Sequence, residues 1–401
     1  MVRLAVIGFG GRASGMVRGM CRDFGEVRLV AVADPDEPRV RERMKHLELP
    51  TEGVRFYDNA EAMLEHADDF DGLVIGTRCY LHTPMAVMVA KTGKPLFLEK
   101  PVAISHEQLD ELAAAWAGRE KQVVVSFPLR VTPACRIVAE LLDERRIGTV
   151  NHVQAFNDVS YGAVYYNNWY RRFDQVGGLW LQKATHDFDY LNELVGARPT
   201  HLAAMMTQKV FGRGSCPDGD GAARVMDAAE LEHIRQHAGG STLDSDDNGS
   251  EFDAKIKNQD AGSAIIWYED GTLVSYNQNF IARKSAGRRG ARLIGYKGTI
   301  DFSWSPVEEV RVIDHHSERV DTIKCPATGG HGGGDYILQK SFIDIIRGEA
   351  ESVADLSAGL LSVSMCLAAR ESCQTRQFKA IRTFRDYAPV DRPVRFDAVE
   401  A

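Results

Sequence analysis

The feature that most restricts the fold of this chain is a glycine-rich turn at residues 8–13, directly after the apolar segment Val2–Ile7. The turn reads Gly-Phe-Gly-Gly-Arg-Ala and fits G-x-G-x-x-G/A, the pattern that opens a helix against a dinucleotide pyrophosphate. The first glycine permits the tight turn, the second admits the phosphates to the backbone, and the small third residue lets helix and strand pack closely. The predicted cofactor residues of the turn are Gly8, Phe9, Gly10, Gly11, Arg12 and Ala13.

An acidic residue ends the second predicted strand, Val27–Ala33. Asp34 stands at about the distance from the glycine turn at which such domains place a ribose-binding carboxylate. A carboxylate there accepts hydrogen bonds from both ribose hydroxyls and repels a 2′-phosphate. We therefore predict NAD as the cofactor, with NADP disfavoured.

Strand-like and helix-like segments alternate through residues 1–126, and the strands are short and nearly all apolar. Apolar strands of this kind are typical of a parallel sheet covered on both faces. The alternation predicts an α/β Rossmann domain with a doubly wound parallel sheet. Its predicted strands are Val2–Ile7, Val27–Ala33, Gly72–Ile75, Pro95–Leu98 and Val123–Ser126, and its predicted helices include Pro38–Leu47, Ala60–His66, Pro84–Thr92 and Ser105–Ala117.

The pattern changes from residue 127 onward, where turn signals at 269–271 and 297–298 join strand candidates as antiparallel hairpins. We predict a second α+β domain over 127–401 with a large, mostly antiparallel sheet, in which residues of about 212–262 form a polar insertion or long loop. Its predicted strands are Thr149–Asn157, Ala264–Glu269, Thr272–Phe280, Ala291–Tyr296, Thr299–Trp304 and Val310–His315, and its predicted helices are Ala134–Glu144, Asp335–Arg347 and Asp355–Gln374.

The composition argues against several other classes of protein. Lys and Arg number 48 against 56 Asp and Glu, a net charge of −8 that disfavours nucleic acid as a partner. No apolar run approaches the ~20 residues that span a bilayer, and the N-terminus reads as a first strand instead of a signal peptide. The seven cysteines show no CxxC pair, which predicts reduced thiols, a cytoplasmic location and no metal site.

A tripeptide, Glu99-Lys100-Pro101, follows the strand Pro95–Leu98. With the glycine turn it resembles the Gfo/Idh/MocA family of glucose–fructose oxidoreductase and inositol dehydrogenase. The segment 77–82 resembles that family's loop near the nicotinamide ribose, and Gly177-Gly178 followed by His186 and Asp189 resembles its GG…H..D signature. The resemblance covers most of the chain. It implies an NAD-dependent oxidoreductase acting on a hydroxyl-bearing carbon of a sugar, cyclitol or glycoside.

The same resemblance implies roles for the residues around the tripeptide. Lys100 lies at the carboxyl end of a parallel strand, where open α/β sheets bind their ligands. Its ammonium can hydrogen-bond to a substrate hydroxyl and help to transfer the hydroxyl proton. Glu99 would face the nicotinamide. The remaining predicted cofactor contacts are Thr77, Arg78, His82 and Lys100 itself.

One position departs from the family pattern, which usually places an Asp four residues before the histidine on the same helical face. Here that position is Gln182, a side chain that cannot accept a proton. Proton transfer then falls to His186 or Lys100, or Lys183 joins them. Like charges on two nearby lysines would lower the pKa of one toward neutrality and make it a better base.

A segment rich in aromatic residues and arginines, 165–172, precedes this signature, and a run of glycines surrounds His331. Rings beside guanidinium groups suit a polar ring with apolar faces, although such clusters also form cores or interfaces. The glycine run suggests close approach to a ligand or, equally, a flexible loop. The predicted substrate contacts are Arg130, Tyr166, Trp169, Arg172, Gln182 and His331.

Two enzymatic functions remain open. The first is the oxidoreductase, and the second is an NAD-dependent glycoside hydrolase that works by transient oxidation, elimination, water addition and re-reduction. The hydrolase stays an alternative because Gln182, followed by Lys183, stands where the family usually has an Asp. An inactive NAD-binding sensor is disfavoured because residues suited to catalysis are present. An exposed face of the second sheet would need covering. The family resemblance implies that paired subunits cover it, so we expect a homodimer or homotetramer.

Overall fold

The protein, described by a computed structural model over residues 1–215, 250–325 and 330–384, contains two sheets. The first is a six-stranded parallel sheet with strand order β3-β2-β1-β4-β5-β6, which confirms the predicted Rossmann domain. Its elements are β1 (Val2–Ile7), α1 (Gly11–Asp23), β2 (Val27–Ala33), α2 (Glu37–His46), β3 (Arg55–Tyr57), α3 (Ala60–Leu64), β4 (Gly72–Ile75), α4 (Cys79–Ala90), β5 (Leu96–Leu98), α5 (His106–Ala115) and β6 (Val123–Val125).

The second sheet has nine strands in the order β14-β13-β12-β11-β7-β10-β9-β8-β15, and only the β7–β10 pair is parallel. This confirms the mostly antiparallel sheet. Most of the insertion predicted at 212–262 lies outside the described residues. The elements are α6 (Pro133–Asp143), β7 (Val150–Asp158), α7 (Val164–Asn167), α8 (Phe173–Val176), α9 (Thr185–Val195), β8 (Pro199–Thr207), β9 (Ala261–Tyr268), β10 (Leu273–Asn279), β11 (Arg288–Gly295), β12 (Gly298–Ser305), β13 (Glu309–Asp314), β14 (Val320–Lys324), α10 (Gly334–Arg347), α11 (Leu356–Thr375) and β15 (Lys379–Ala380).

The strand order of the first sheet reverses at β1, which pairs with β2 on one side and β4 on the other. Ligands of open α/β sheets bind at such a point, in the crevice beyond the carboxyl ends of the strands. The glycine turn follows β1 and the segment 77–82 follows β4, so both lie at this crevice. The tripeptide 99–101 follows β5, the next strand along the same edge.

Helix α4 begins at Cys79, five residues before the predicted start at Pro84. The start of the helix was predicted too late because proline is favoured at the first position of a helix. Inside a helix, proline leaves the carbonyl four residues earlier without its donor, and that carbonyl belongs to Tyr80. Gln108 Nε2 donates to Tyr80 O at 2.8 Å and so supplies the missing hydrogen bond from α5.

The two C-terminal helices pack against the Rossmann sheet. Phe342 of α10 meets Phe97 of β5 edge-on, with ring centroids 5.8 Å apart. The backbone N–H of Val125, at the end of β6, donates to Ala354 O at 2.8 Å just before α11. At the beginning of α10, Asp335 bonds Arg12 of α1, so this end of the helix lies near the glycine turn.

Candidate functional site

Close backbone packing shapes the crevice at the glycine turn. Gly8 has φ of +79°, and a Cβ added to it would lie 2.7 Å from Thr77 Cγ2. A Cβ on Gly76 would lie 2.2 Å from Ala13 Cβ, which explains why the third place of the motif needs a small residue. Gly10 is the N-cap of α1, and no side chain caps this helix end.

The crevice therefore fits a dinucleotide. The uncapped N-terminus of α1 offers backbone N–H groups and the positive end of the helix dipole, which together suit a pyrophosphate. Asp34, at the end of β2, accepts hydrogen bonds from the N–H of Phe9 at 2.9 Å and of Asp36 at 3.1 Å. These bonds hold its carboxylate beside the glycine turn, where a ribose would lie.

The Arg12 side chain forms ion pairs with two carboxylates. Its two terminal nitrogens each bond an oxygen of Asp335 at 2.7 Å, and its Nε lies 3.3 Å from Glu99 Oε1. Burial raises the pKa of Glu99, and the charge of Arg12 opposes that rise. Only the backbone of Arg12 is thus placed for the phosphates, while its guanidinium ties α1 to the beginning of α10.

The side chain of His82 is buried, and its contact with the cofactor stays a prediction. The residue is 2% exposed, with Nδ1 2.8 Å from Pro101 O and Nε2 3.1 Å from Thr77 O. Burial lowers its pKa to about 4, so the ring is neutral near pH 7. His82 positions the segments that carry Thr77 and Lys100.

Lys100 reaches from β5 to the second domain. Its Nζ donates to the backbone O of Gln182 at 2.9 Å. Burial, followed by repulsion from Lys183, lowers the pKa of Lys100 to about 8. An amine with such a pKa exchanges protons readily near neutral pH, which suits a group in contact with a reacting hydroxyl.

The Gln182 side chain is buried between α4 and α8. It is 1% exposed, and its Nε2 lies 3.2 Å from Cys79 Sγ and 3.3 Å from Val176 O. The amide lies between the start of α4 and the end of α8, and its contact with substrate stays a prediction. Its backbone carbonyl, and not its side chain, faces Lys100.

A π-helical turn, Trp180–Ala184, precedes α9 and carries Lys183. Turns of this kind are frequent at functional sites because they change the direction of the side chains on a helix. Lys183 is 7% exposed, and its Nζ bonds the hydroxyl of Tyr161. Lys183 and His186 lie one turn apart and approach the same space.

His186 is neutral. Burial lowers its pKa well below the ordinary histidine value, and repulsion from Lys100, Arg289 and Lys183 lowers it further. Its Nδ1 is buried without a hydrogen-bond partner among the described residues, and Phe127 packs edge-on at 5.9 Å. A neutral imidazole among cations can accept a hydrogen bond but binds a proton weakly.

The sequence analysis missed three polar residues of this region. Arg289 of β11 donates from Nε to Asp187 Oδ1 at 2.8 Å, and Tyr161 lies in the loop after β7. Asp187, fully buried, also accepts from Tyr276 at 2.8 Å. These residues come from segments far apart in the chain. No local pattern joins them, and the only sequence signal was the acid directly after His186.

Two residues predicted to contact substrate have partners within the second domain. The Arg130 guanidinium, 11% exposed, pairs with Asp189 at 3.1 Å and Glu193 at 2.9 Å on α9. A buried guanidinium requires carboxylate partners, and these hold it against the helix. Tyr166 is fully buried, with its hydroxyl 2.6 Å from Gln259 O. Packing of the second domain uses both side chains, and their contact with substrate stays a prediction.

The remaining predicted contacts lie around the crevice. The Arg78 guanidinium stacks on the Trp169 ring at 4.1 Å, close to the start of α4. Arg172, at the beginning of α8, is exposed. His331 has φ of +48° and places Nδ1 3.1 Å from Asp335 Oδ2, beside Arg12. These positions are compatible with substrate contact, which stays a prediction.

Within 1–215, 250–325 and 330–384, no helix is long and apolar enough to cross a membrane. The side chains described in these ranges also form no group of three or more His, Cys, Asp or Glu able to hold a metal ion.

Comparison with known proteins shows relatives along most of the chain. YteT of Bacillus subtilis (strain 168) is 26% identical over 340 residues, 74% of this chain and 77% of its own. Inositol 2-dehydrogenase of Rhizobium meliloti (strain 1021) is 28% identical over 170 residues, 41% of this chain and 49% of its own. A levoglucosan dehydrogenase structure in complex with NADH shares the fold at a TM-score of 0.75, with 17% identity and coverage of 95% and 99% of the two chains.

Two family models match the two parts of the chain. Residues 2–127 match the model of an oxidoreductase family with an NAD-binding Rossmann fold. Residues 139–381 match the C-terminal alpha/beta domain of the same family. The crevice at the glycine turn and the nine-stranded sheet are thus the two halves of one known architecture. The chain belongs to the Gfo/Idh/MocA family of NAD-dependent oxidoreductases.

Proposed function

We propose that this protein oxidises a hydroxyl-bearing carbon of a sugar or cyclitol with NAD as the hydride acceptor. The observation that carries the proposal is that Lys100, at the carboxyl end of β5, lies close enough to His186 for its charge to lower the pKa of the imidazole. Lys100 supplies a proton-exchanging ammonium with a pKa of about 8, and His186 supplies a neutral hydrogen-bond acceptor. This pair suits the alcohol end of a hydride transfer.

The residues divide into those that hold the cofactor and those that face the substrate. The backbone of residues 8–13 and the carboxylate of Asp34 would hold NAD, which supplies the hydride-accepting ring. Lys100 would orient the substrate hydroxyl and stabilise negative charge on its oxygen. The names of two relatives, inositol 2-dehydrogenase and levoglucosan dehydrogenase, support a cyclic polyol or anhydrosugar as substrate.

A glycoside hydrolase is the second candidate. A protein of Solibacter usitatus (strain Ellin6076) named as glycosyl hydrolase family 109 is 23% identical over 372 residues, 86% of this chain and 79% of its own. Transient oxidation followed by elimination and re-reduction would use the same NAD crevice and the same Lys100. The two candidate functions share the fold and differ in whether a leaving group is eliminated from the substrate.

Incubation with NAD and a panel of levoglucosan, myo-inositol, D-glucose and aryl glycosides separates these functions. Accumulation of NADH supports the dehydrogenase, whereas release of aglycone without net NADH supports the hydrolase. If neither NADH nor aglycone forms but NAD still binds, the result supports an NAD-binding sensor. If calorimetry shows that neither NAD nor NADP binds, the proposal is overturned.

Variants of Lys100 and His186 test the assignment of the site. Lys100→Ala and His186→Ala should each lower kcat by about 100-fold or more, because positioned proton-transfer groups contribute that much. The Kd for NAD should change little, since neither side chain lies at the glycine turn. Lys91→Ala, at an exposed lysine just after α4, is the matched control and should retain full turnover. Substantial activity in both site variants would overturn the assignment.

We also propose a homodimer or homotetramer, formed through the exposed face of the nine-stranded sheet. Ile265 and Trp267 of β9 are 50% and 52% exposed, and Met205 of β8 on the same face is 75% exposed. An apolar face of this kind is typical of a protein interface. A cytoplasmic location also stays a proposal, supported by six cysteines that are free thiols in the described part of the chain.

A further inference from the structure

Tyr161 makes an unusual contact at the edge of the site. It lies in the loop after β7, with 39% of its surface exposed, and its hydroxyl bonds the Lys183 ammonium. The same ammonium lies 4.5 Å from the centroid of the Tyr161 ring and 5.2 Å from that of Tyr165. Lys183 thus reaches its aromatic neighbours through both its charge and its N–H donors.

Lys183 lacks the counter-ion that a buried ammonium requires. Among the residues that the structure describes, no carboxylate forms an ion pair with it, although the side chain is 7% exposed. The nearest carboxylate of the region, Asp187, is occupied by Arg289, Asn157 and Tyr276. The phenol oxygen of Tyr161 is the group placed to carry the balancing negative charge.

The groups that face Tyr161 are mostly cationic. Lys183 comes from the π-helical turn, Arg289 from β11 and Lys100 from the end of β5. Burial raises the pKa of Tyr161, but the attraction of these cations, with Lys183 foremost, outweighs burial and brings the pKa below the ordinary tyrosine value. The neighbouring phenol of Tyr165 shows the opposite shift, because burial raises its pKa and Tyr161 adds to the rise.

A short chain of contacts links Tyr161 to the reacting centre. Lys100 Nζ donates to the backbone O of Gln182 at 2.9 Å, and the next residue, Lys183, bonds Tyr161. Burial, followed by repulsion from Lys183, lowers the pKa of Lys100. Tyr161 therefore contacts one of the two lysines and feels the charge of the other.

The other polar groups at this place are engaged differently. His186 binds a proton weakly because it is buried among cations. Lys100 Nζ donates to the Gln182 carbonyl, so it is placed as a hydrogen-bond donor. The Gln182 side chain has no basic atom and faces Cys79. Tyr161 combines a lowered phenol pKa with a partly exposed ring, so a proton taken from the substrate can pass on to solvent.

We propose that the phenolate of Tyr161, held by the ammonium of Lys183, accepts the proton of the substrate hydroxyl during oxidation, with Lys183 as a positioning residue. This inference rests on the proposed dehydrogenase function. The substrate O–H bond breaks, and its proton bonds to the phenolate oxygen. The C–H bond electrons leave with the hydrogen as hydride to NAD, so that NADH and a carbonyl form. The phenol then loses its proton to solvent.

Tyr161→Phe is the first test, since it removes the hydroxyl and keeps the ring under the ammonium. With whichever of levoglucosan, myo-inositol or D-glucose the wild type oxidises fastest, kcat should fall about 100-fold or more. The Kd for NAD should stay within about twofold, since the ring lies away from the glycine turn. Tyr296→Phe, at a tyrosine 81% exposed in the β11–β12 turn, is the matched control and should keep wild-type turnover.

The pH dependence gives a readout that a structural role would not move. Wild-type oxidation should rise with pH as Tyr161 loses its proton, and Tyr161→Phe should lack that rise. Ultraviolet titration of the free protein is independent of turnover. The spectrum of the wild type minus that of Tyr161→Phe isolates one of the twelve tyrosines, and its phenolate should appear below the ordinary tyrosine pKa. Lys183→Gln should shift both the pH profile of oxidation and the appearance of the phenolate to higher pH. Lys183→Arg should shift both part of the way back toward the wild-type pH.

The outcomes separate this inference from the function on which it rests. If no sugar of the panel reduces NAD, the proposed function fails and the role of Tyr161 fails with it. If the wild type forms NADH but Tyr161→Phe keeps its kcat and pH profile, only the role of Tyr161 is overturned. A difference titration that shows an ordinary tyrosine overturns that role as well, whether or not the variant is active.

Discussion

The ammonium of Lys100 and the backbone carbonyl of Gln182 lie 2.9 Å apart, and this contact ties the carboxyl end of β5 to the π-helical turn before α9. It is a hydrogen bond between the two domains at the centre of the site. Because the carbonyl makes the contact, the side chain at position 182 is free to serve a different purpose. It fills the space between Cys79 and Val176.

Replacing that amide with an acid should destabilise the protein without creating a catalytic group. In Gln182→Glu, a buried carboxylate would face the Val176 carbonyl in place of an N–H donor, which should cost about 1–3 kcal/mol. Urea unfolding measures the loss. Gln374→Glu, at an exposed position near the end of α11, is the control and should stay within about 0.5 kcal/mol of wild type. Unchanged stability with increased turnover would contradict this account of Gln182.

Asp34→Ala should weaken NAD binding and reduce discrimination against NADP. A hydrogen bond to a charged group contributes about 1.5 kcal/mol, so the Kd for NAD should rise about tenfold. Loss of the carboxylate also removes its repulsion of a 2′-phosphate, so the Kd for NADP should fall or stay constant. Calorimetry with both dinucleotides measures the ratio. An unaltered preference for NAD would show that Asp34 does not face the ribose.

Asp335→Asn should destabilise the protein in a pH-dependent way. Although burial raises it, the pKa of Asp335 is held well below the ordinary 3.8 because Arg12 and His331 surround the carboxylate. A lowered folded-state pKa stabilises the fold above the unfolded-state value and loses that effect as pH falls. The variant should therefore be about 2 kcal/mol less stable than wild type at neutral pH.

That difference should shrink as the pH falls below 3.8 and the carboxylate begins to take up its proton in the unfolded chain. Thermal unfolding of the variant and the wild type at a series of pH values measures this difference in stability. Asp68→Asn, at an exposed acid between α3 and β4, is the control and should show no such trend. A constant difference at every pH would contradict the ion pair with Arg12 as the cause.

Trp267→Glu should dissociate the proposed oligomer. A charge in the middle of the exposed apolar face of β8 and β9 would have to lose its water in an interface, which costs several kcal/mol. Sedimentation velocity should show smaller particles for this variant than for wild type. Tyr296→Glu, exposed in the β11–β12 turn, is the control and should leave the assembly intact. A wild-type protein that sediments as a monomer would overturn the proposal directly.

Much of the fold followed from local patterns. The order of β1, α1 and β2 is encoded by apolar runs and by a turn in which Gly8 needs a positive φ and Ala13 must be small. The short edge strand β3 escaped prediction because its three residues include a charged Arg55 and a half-buried Tyr57. Strand β8 escaped because its solvent face carries apolar residues such as Met205, which blur the alternation.

The site was less predictable than the fold. Of two arginines that pair with α9, the sequence analysis singled out Arg130 and missed Arg289. Arg130 pairs with Asp189 on one side of that helix, and Arg289 pairs with Asp187, beside His186. The acid with which each arginine pairs decides whether it lies at the site. That pairing joins residues far apart in the chain, so local sequence does not reveal it.

The sequence by itself determined the Rossmann architecture, the dinucleotide crevice and the place of Lys100, because each depends on short segments whose backbone geometry is set by neighbouring residues. Tertiary structure alone decided which polar side chains share space with that lysine. Buried charges and hydroxyls take whichever partners packing brings to them, so Gln182 turned inward, Tyr166 entered the core, and Tyr161 came to lie under the ammonium of Lys183.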